Sequence, residues 1–284
     1  GARAFEEIGG EVVQTTSFVL QKQNINDYKG TYCRLIEPTT QQGKEEMFLA
    51  GENRYTSDQS NFAKIPGSPV AYWVSEQAIS TFNNLKMKEY IKPKQGTSTG
   101  DDATYVRHWF EIAYNEFNYQ NKSLTDAINS AYKYFPLNKG GEFRKWYGNN
   151  EKVIRLDKVS YEKLILLGNH LPSRELYFHS GITWSKIASS HCSFRYDKEG
   201  FVFSSVGLKG FPDSSNKYYA LGFLNSILVD FYLKIISPGL STVSGDIEKL
   251  PIIESEDNKH FVDTIVEENI NSSKQDWDSY ETSW

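Results

Sequence analysis

Between Gly181 and Ile236 the hydrophobic period of this chain changes, and that change fixes its fold class. From Gly181 to Phe203 the apolar residues come in short runs: Ile182 to Trp184, Ser193 to Tyr196, and Phe201 to Phe203. Asp197 to Gly200 forms a turn between the last two. Short runs of β-branched and aromatic residues bounded by turn formers predict strands. From Lys217 to Ile236, Ala220, Leu221, Leu224, Ile227 and Leu228 recur at helical spacing and predict one helix. Both periods in one stretch point to an α+β architecture.

The rest of the chain keeps that mixed character. Residues 11–22 and 31–36 are rich in β-branched residues, with the polar loop Gln23 to Gly30 between them. They predict a β-hairpin, which needs a further sheet for support. Glu45 to Leu49, Ala78 to Met87, Leu124 to Tyr132, Tyr161 to Leu167 and Phe261 to Ile270 have helical spacing, and Tyr105 to Ile112 reads as a strand. Ile65 to Pro69 is a turn cluster, and Gly96 to Asp102 is the strongest breaker run in the chain. No internal repeat is visible.

Charge narrows the function. The net charge of −5 is unusual for a DNA binder, but it is unevenly spread. From Pro251 to Trp284 nine acidic residues face Lys259 and Lys274, so the first 250 residues carry about +2. Lys133 to Lys163 holds eight basic residues against Glu142, Glu151, Asp157 and Glu162. A local basic stripe is what phosphate contact requires, and it is equally compatible with a solvated face.

No run of 18 or more apolar residues is present, so no membrane helix and a cytoplasmic location are expected. Cys33 and Cys192 lie far apart and suit reduced thiols. The chain opens Gly1-Ala2-Arg3 and ends at Trp284, which reads as a piece of a longer protein.

Chemistry-bearing motifs are missing. The sequence contains no Gly-x-Gly-x-x-Gly, P-loop, Gly-x-Ser-x-Gly elbow or His-Glu-x-x-His. His108, His170, His179, His191 and His260 have no metal-ligand spacing. Two clusters combine aromatic, basic and small polar residues instead. In the first, Lys139-Gly140-Gly141 leads into Arg144-Lys145-Trp146, where glycines let backbone N–H groups approach a phosphate and the cations supply charge. In the second, Thr183, Trp184 and Ser185 precede Arg195, offering groups able to hydrogen-bond base edges. A core-filling loop and an ordinary paired strand are the plainer readings of the two clusters.

Seven segments in this order resemble one family. They are Arg3 to Ile8 with Val12 to Leu20, Ile65 to Trp73, Gly96 to Asp102, Lys139 to Gly148, Gly181 to Ser185, Leu221 to Ser226, and Ser273 to Trp284. The family is the adenine-specific methyltransferases of BREX and phage-growth-limitation defence systems, the PglX type, within a wider group that includes type IIG enzymes and the TaqI methyltransferase.

The resemblance implies that 1–40 is the terminal hairpin at the edge of a Rossmann-like catalytic sheet. It implies a connecting segment at 41–95, a target-recognition domain of irregular mixed strands and helices at 96–250, and an acidic helical segment at 251–284. It implies S-adenosylmethionine as cofactor of the parent enzyme and none in this piece, because the family's Asp-Pro-Ala-Cys-Gly-Ser-Gly and Asn-Pro-Pro-Tyr type motifs are absent. No catalytic residue is expected here. The implied partners are double-stranded DNA, the N-terminal catalytic domain and other defence-system proteins. DNA contacts are expected from Ser98, Thr99, Lys139, Gly140, Gly141, Arg144, Lys145, Trp146, Thr183, Trp184, Ser185 and Arg195. Where such enzymes commonly carry Asn after the Thr-Gly pair, this chain has Asp101 and Asp102, whose charges oppose a phosphate. A module that docks other defence-system subunits, with the acidic tail as its contact, is the competing reading. A nuclease lacks the acidic-plus-lysine metal site it would need.

Overall fold

The computed structural model describes residues 3–5, 15–23, 25–26, 28–168, 170–188 and 191–280. It divides into two compact units, Gly1–Asn83 and Asn84–Trp284.

In the first unit, β1 (Lys29–Cys33) pairs antiparallel with β2 (Arg54–Asp58), and α1 (Gln41–Ala50) joins them. Thr40 starts α1 by accepting from the Gly43 N–H, and Gly51, at φ 74°, ends it in the left-handed region that glycine tolerates best. α2 (Glu76–Ser80) follows, capped by Ser75. Tyr32 stacks on Tyr72 with ring centroids 4.6 Å apart, and the Arg34 guanidinium lies 4.0 Å over Trp73.

Among the described residues, no strand of 15–22 pairs with β1 as the hairpin expected between 11–22 and 31–36 would require. Residues 11–14 lie outside the described residues, and 15–20 adopt no strand, with Phe18, Val19 and Leu20 exposed. A strand needs a partner for its backbone groups, and the turn through α1 brings Arg54–Asp58 alongside β1 instead. The helix expected from Ala78 to Met87 stops at Ser80 and tightens into a 3-10 turn at Thr81–Asn83. Asn83 and Asn84, both weak helix formers, stand where it would have continued.

The second unit is built on two four-stranded sheets. One has the order β3 (Ile91–Lys94), β10 (Gly207–Pro212), β7 (Gly181–Ser185), β8 (Phe194–Asp197), all antiparallel. The other has the order β4 (Val106–His108), β6 (Lys152–Arg155), β5 (Tyr134–Asn138), β9 (Val202–Phe203), with β5 and β9 parallel. Strands β8 and β9 therefore do not form the hairpin their turn suggested. Gly200, at φ 102°, sends the chain from one sheet to the other.

The second sheet carries one hydrophobic core. Phe135, Leu137, Ile154, Val202 and Phe203 pack with Tyr105, Leu164, Tyr177 and Phe178, all buried. Tyr105 ends α3 (Asp102–Tyr105), Ala127 lies on α4 (Leu124–Asn129), and Leu164 lies on α5 (Lys158–Leu166), which Asp157 caps. α6 (Lys217–Leu224) and α7 (Ile227–Ile236) replace the single helix expected there, with a 68° bend at Asn225 and Ser226. Asn225 explains the break. Its side chain accepts from the Phe194 N–H at 3.0 Å and donates to the Phe194 carbonyl at 2.9 Å, which anchors the end of α6 to the sheet. After α8 (Ser244–Lys249), α9 (Glu256–Asp278) runs well beyond the expected Phe261 to Ile270. No single helix among the described residues is long and apolar enough to cross a membrane.

Candidate functional site

Cross-strand register sorts the β7 side chains onto two faces. Leu208, Trp184 and Phe194 stand opposite one another on one face, and Lys209, Thr183 and Arg195 on the other. Alternation along each strand adds Ser185 and Asp197 to the second face. That polar face is covered by the Lys139 to Tyr147 segment, which lies along the edge strand β8. The Trp146 N–H donates to the Phe194 carbonyl at 2.9 Å, and the Tyr196 N–H donates to the Trp146 carbonyl at 2.7 Å.

The cover determines where the expected DNA-contacting residues sit. Thr183 is buried and donates to the Leu208 carbonyl at 2.8 Å. Trp184 is buried on the opposite face and donates to the Thr242 carbonyl at 3.1 Å. Ser185 donates to the Gly141 carbonyl at 2.8 Å. Arg195 is fully buried, and its Nη1 donates to the Arg144 carbonyl at 3.2 Å while Nε and Nη2 find no partner. Burial pushes the Arg195 pKa down to about 10. Its neighbour Asp197 pairs with Lys209 at 2.7 Å. Ser185 and Arg195 therefore tie the sheet to its covering loop, Thr183 bonds within the sheet, and Thr183, Trp184 and Arg195 are all buried, where the sequence had placed them at a DNA surface.

Lys145 is placed differently from expectation as well. Its ammonium donates to the Asn225 carbonyl at 2.7 Å, where a cation complements the C-terminal dipole of α6. Lys145→Ala is expected to lower stability by about 1 kcal/mol in a urea titration and to leave the salt dependence of any DNA binding unchanged.

The fold brings the two remaining groups of candidates together. Loop 97–102, the start of the Lys139-Gly140-Gly141 segment and Ser204 to Val206 enclose a cleft of about 380 Å³. Thr97, Ser98, Thr99, Lys139, Ser204 and Ser205 give it a wall of hydroxyls and one ammonium. Lys139 forms an ion pair with Asp102, and Thr99 donates to the same carboxylate at 2.7 Å. Partial burial pushes the Asp102 carboxyl up, but the hydrogen bonds from Lys139 and Thr99 outweigh it and hold the group below its ordinary 3.8. This contribution to stability is present above pH 3.8 and is lost as pH falls through the lower folded-state value. The acidic pair thus has local work: Asp102 takes the Lys139 charge, and Asp101 caps α3.

The far side of the Gly-Gly loop borders a second cleft of about 250 Å³, with Glu142, Phe143, Ser185 and His191 among its lining residues. Gly140 lies between the two, at φ 75°, where a Cβ would meet the Val206 carbonyl oxygen at 3.1 Å. Sequence reasoning missed Ser204, Ser205 and His170. His170 fixes the loop by accepting from Thr97 Oγ1 and the Ser98 N–H through its carbonyl, both at 3.0 Å. Serines and a histidine in separate loops carry no local pattern that would have revealed them.

A cleft walled by hydroxyls and an ion-paired lysine, on irregular loops over two small sheets, offers hydrogen-bond donors to an extended polar ligand more than it encloses a buried small molecule. An S-adenosylmethionine site of the doubly wound kind needs a parallel sheet, and among the described strands only β5 and β9 pair parallel.

Comparison with known proteins assigns the class: the whole chain is related to part of adenine-specific methyltransferases. It is 36% identical over 300 aligned positions to adenine-specific methyltransferase PglX of Lacticaseibacillus casei (strain Zhang), and 34% identical over 287 to adenine-specific methyltransferase BrxX of Escherichia coli O9:H4 (strain HS). All of this chain is covered in both, against 25% and 23% of the relatives, so it spans about a quarter of their length. No protein-family model matches it.

Proposed function

We propose that this chain is the DNA sequence-recognition region of an adenine-specific DNA methyltransferase of a phage-defence or restriction–modification system. One observation carries the reading. The chain is related along its whole length to methyltransferases while lacking the cofactor and catalytic motifs of that chemistry. What is left for such a region is to hold the duplex while a separate catalytic domain, with S-adenosylmethionine, modifies an extruded adenine.

The cleft between loop 97–102 and the Gly-Gly loop is the proposed backbone contact. Ser98, Lys139, Gly141 and Arg144 remain from the sequence-based set as surface contributors, with Ser205 added, and Gly140 is buried behind them. Thr99 acts through Asp102, and Ser185 through the Gly141 carbonyl. Arg195 supports the segment from beneath through the Arg144 carbonyl, and Thr183 and Trp184 are buried within the sheet's own packing.

The test is fluorescence anisotropy on a duplex across a salt series. Retention that weakens steeply with salt supports the reading. Retention unaffected by salt, or none at low salt, overturns it and leaves the protein-docking alternative. Lys139→Ala is expected to weaken binding to cognate and scrambled duplexes alike and to reduce the salt slope by about 0.9.

A further inference from the structure

The last turn of α9 lies across the basic end of the Gly-Gly segment. Asp276 Oδ2 is 2.9 Å from Arg144 Nη1. The same guanidinium sits 5.0 Å from the Trp277 ring centroid and 5.7 Å from that of Tyr280. Lys274, one turn back, lies 5.7 Å over Tyr147 and pairs with Asp278. Gly148 allows this approach, because a Cβ there would fall 2.4 Å from Arg144 Cδ and 2.9 Å from Trp277 Cε3.

The two charges of the Arg144 pair are unequally placed. The Asp276 side chain is 59% exposed and that of Arg144 25%. Of the two rings beside the guanidinium, Trp277 is buried and Tyr280 is exposed, as is the Asp276 carboxylate. A carboxylate and a phosphate ester present the same kind of oxygen acceptors to a guanidinium.

We infer that Asp276 is a built-in competitor for DNA phosphate at Arg144, with Trp277 and Tyr280 holding the guanidinium ready for exchange. This rests on the DNA-recognition reading. An exposed ion pair contributes little to stability, so exchanging the carboxylate for a phosphate costs the fold little. In the absence of DNA the acidic turn neutralises Arg144, and a duplex must displace it. The acidic end of the chain thereby raises the threshold for non-specific retention.

The experiment uses the 284-residue chain and duplex anisotropy between about 50 and 200 mM salt. Asp276→Asn is expected to tighten binding about threefold at the low-salt end and to steepen the salt slope by about 0.9, one extra phosphate contact. The gain should vanish in Arg144→Ala/Asp276→Asn. It should also be absent in Glu268→Gln, which removes the same charge from α9 about 12 Å further back. Melting temperatures taken alongside verify folding, and Asp276→Ser provides a second variant with the same expected outcome.

Binding that is unchanged or weaker in Asp276→Asn overturns the inference. So does a gain that survives the loss of Arg144, or an equal gain in Glu268→Gln. Each of these leaves the DNA reading standing. No salt-dependent retention by the unaltered chain removes the DNA reading itself, and this inference with it.

Discussion

Lys209→Ala is expected to destabilise the Asn84–Trp284 unit by about 3–5 kcal/mol, because it leaves a carboxylate buried without its partner. Lys209 Nζ and Asp197 Oδ2 are 2.7 Å apart, with the side chains 0% and 2% exposed. Burial pushes the Asp197 carboxyl up and the Lys209 ammonium down, and each is partly offset by the other. Asp197→Ala should cost a similar amount, since it leaves the Lys209 ammonium fully buried without its carboxylate. Lys209→Met with Asp197→Leu should recover most of the loss, because well-packed apolar residues often replace a buried pair without penalty. Urea denaturation of the unaltered chain and the three variants makes the comparison. A double variant no more stable than either single one would show that the site needs polar groups for another reason.

The same strands show how far the sequence could be read. Alternation in Gly181 to Ser185 and Phe194 to Asp197 was legible, and it separates Trp184 and Phe194 from Thr183, Ser185 and Arg195. Alternation assigns two faces without saying what covers each. Here the polar face is capped by a segment some fifty residues earlier in the chain, whose backbone groups take up the side-chain hydrogen bonds. Arg195 thus looked like a base reader and is a buried donor to the Arg144 carbonyl. Asp197 and Lys209 gave a faint warning, since opposite charges on two strands can mark a pairing as well as a surface.

Partner choice was the other illegible step. The sequence marked residues near 31–36 as a strand, and β1 forms close by, but its partner comes from beyond α1. Propensity is local, whereas pairing depends on which loop closes first and what the sheet buries. The clusters around Gly96 and Lys139 were each visible as a loop. Their meeting around one cleft depends on β5, β9 and β10 converging at Ser204, which no local pattern records.

That convergence sets the second large effect. Gly96→Ala and Gly207→Ala are each expected to cost about 3 kcal/mol or more, as overpacking against rigid backbone does. A Cβ on Gly96 would fall 2.0 Å from the Phe203 carbonyl oxygen, and one on Gly207 would fall 2.4 Å from the Gly140 nitrogen. In both cases the obstacle is main chain, so no side chain can rotate away. The hydrogen bonds around these glycines tie the loops together: Thr97 N–H donates to the Phe203 carbonyl at 2.9 Å, Ser205 N–H to the Thr97 carbonyl at 2.8 Å, and Gly207 N–H to Ser204 Oγ at 2.9 Å. Relieving either clash must pull loop 97–102 or the Gly-Gly loop off Ser204 and open the cleft. At roughly 2–4 °C per kcal/mol for a unit of this size, the melting temperature should fall by about 6–12 °C, and duplex retention should weaken even well below the melting point. Gly239→Ala is the control, because a Cβ there meets nothing within 4 Å, and it should stay within about 0.5 kcal/mol of the unaltered chain. Thermal melting and anisotropy on the three variants decide the matter. If Gly96→Ala and Gly207→Ala melt with the control, the close approach of these loops is not what holds the cleft.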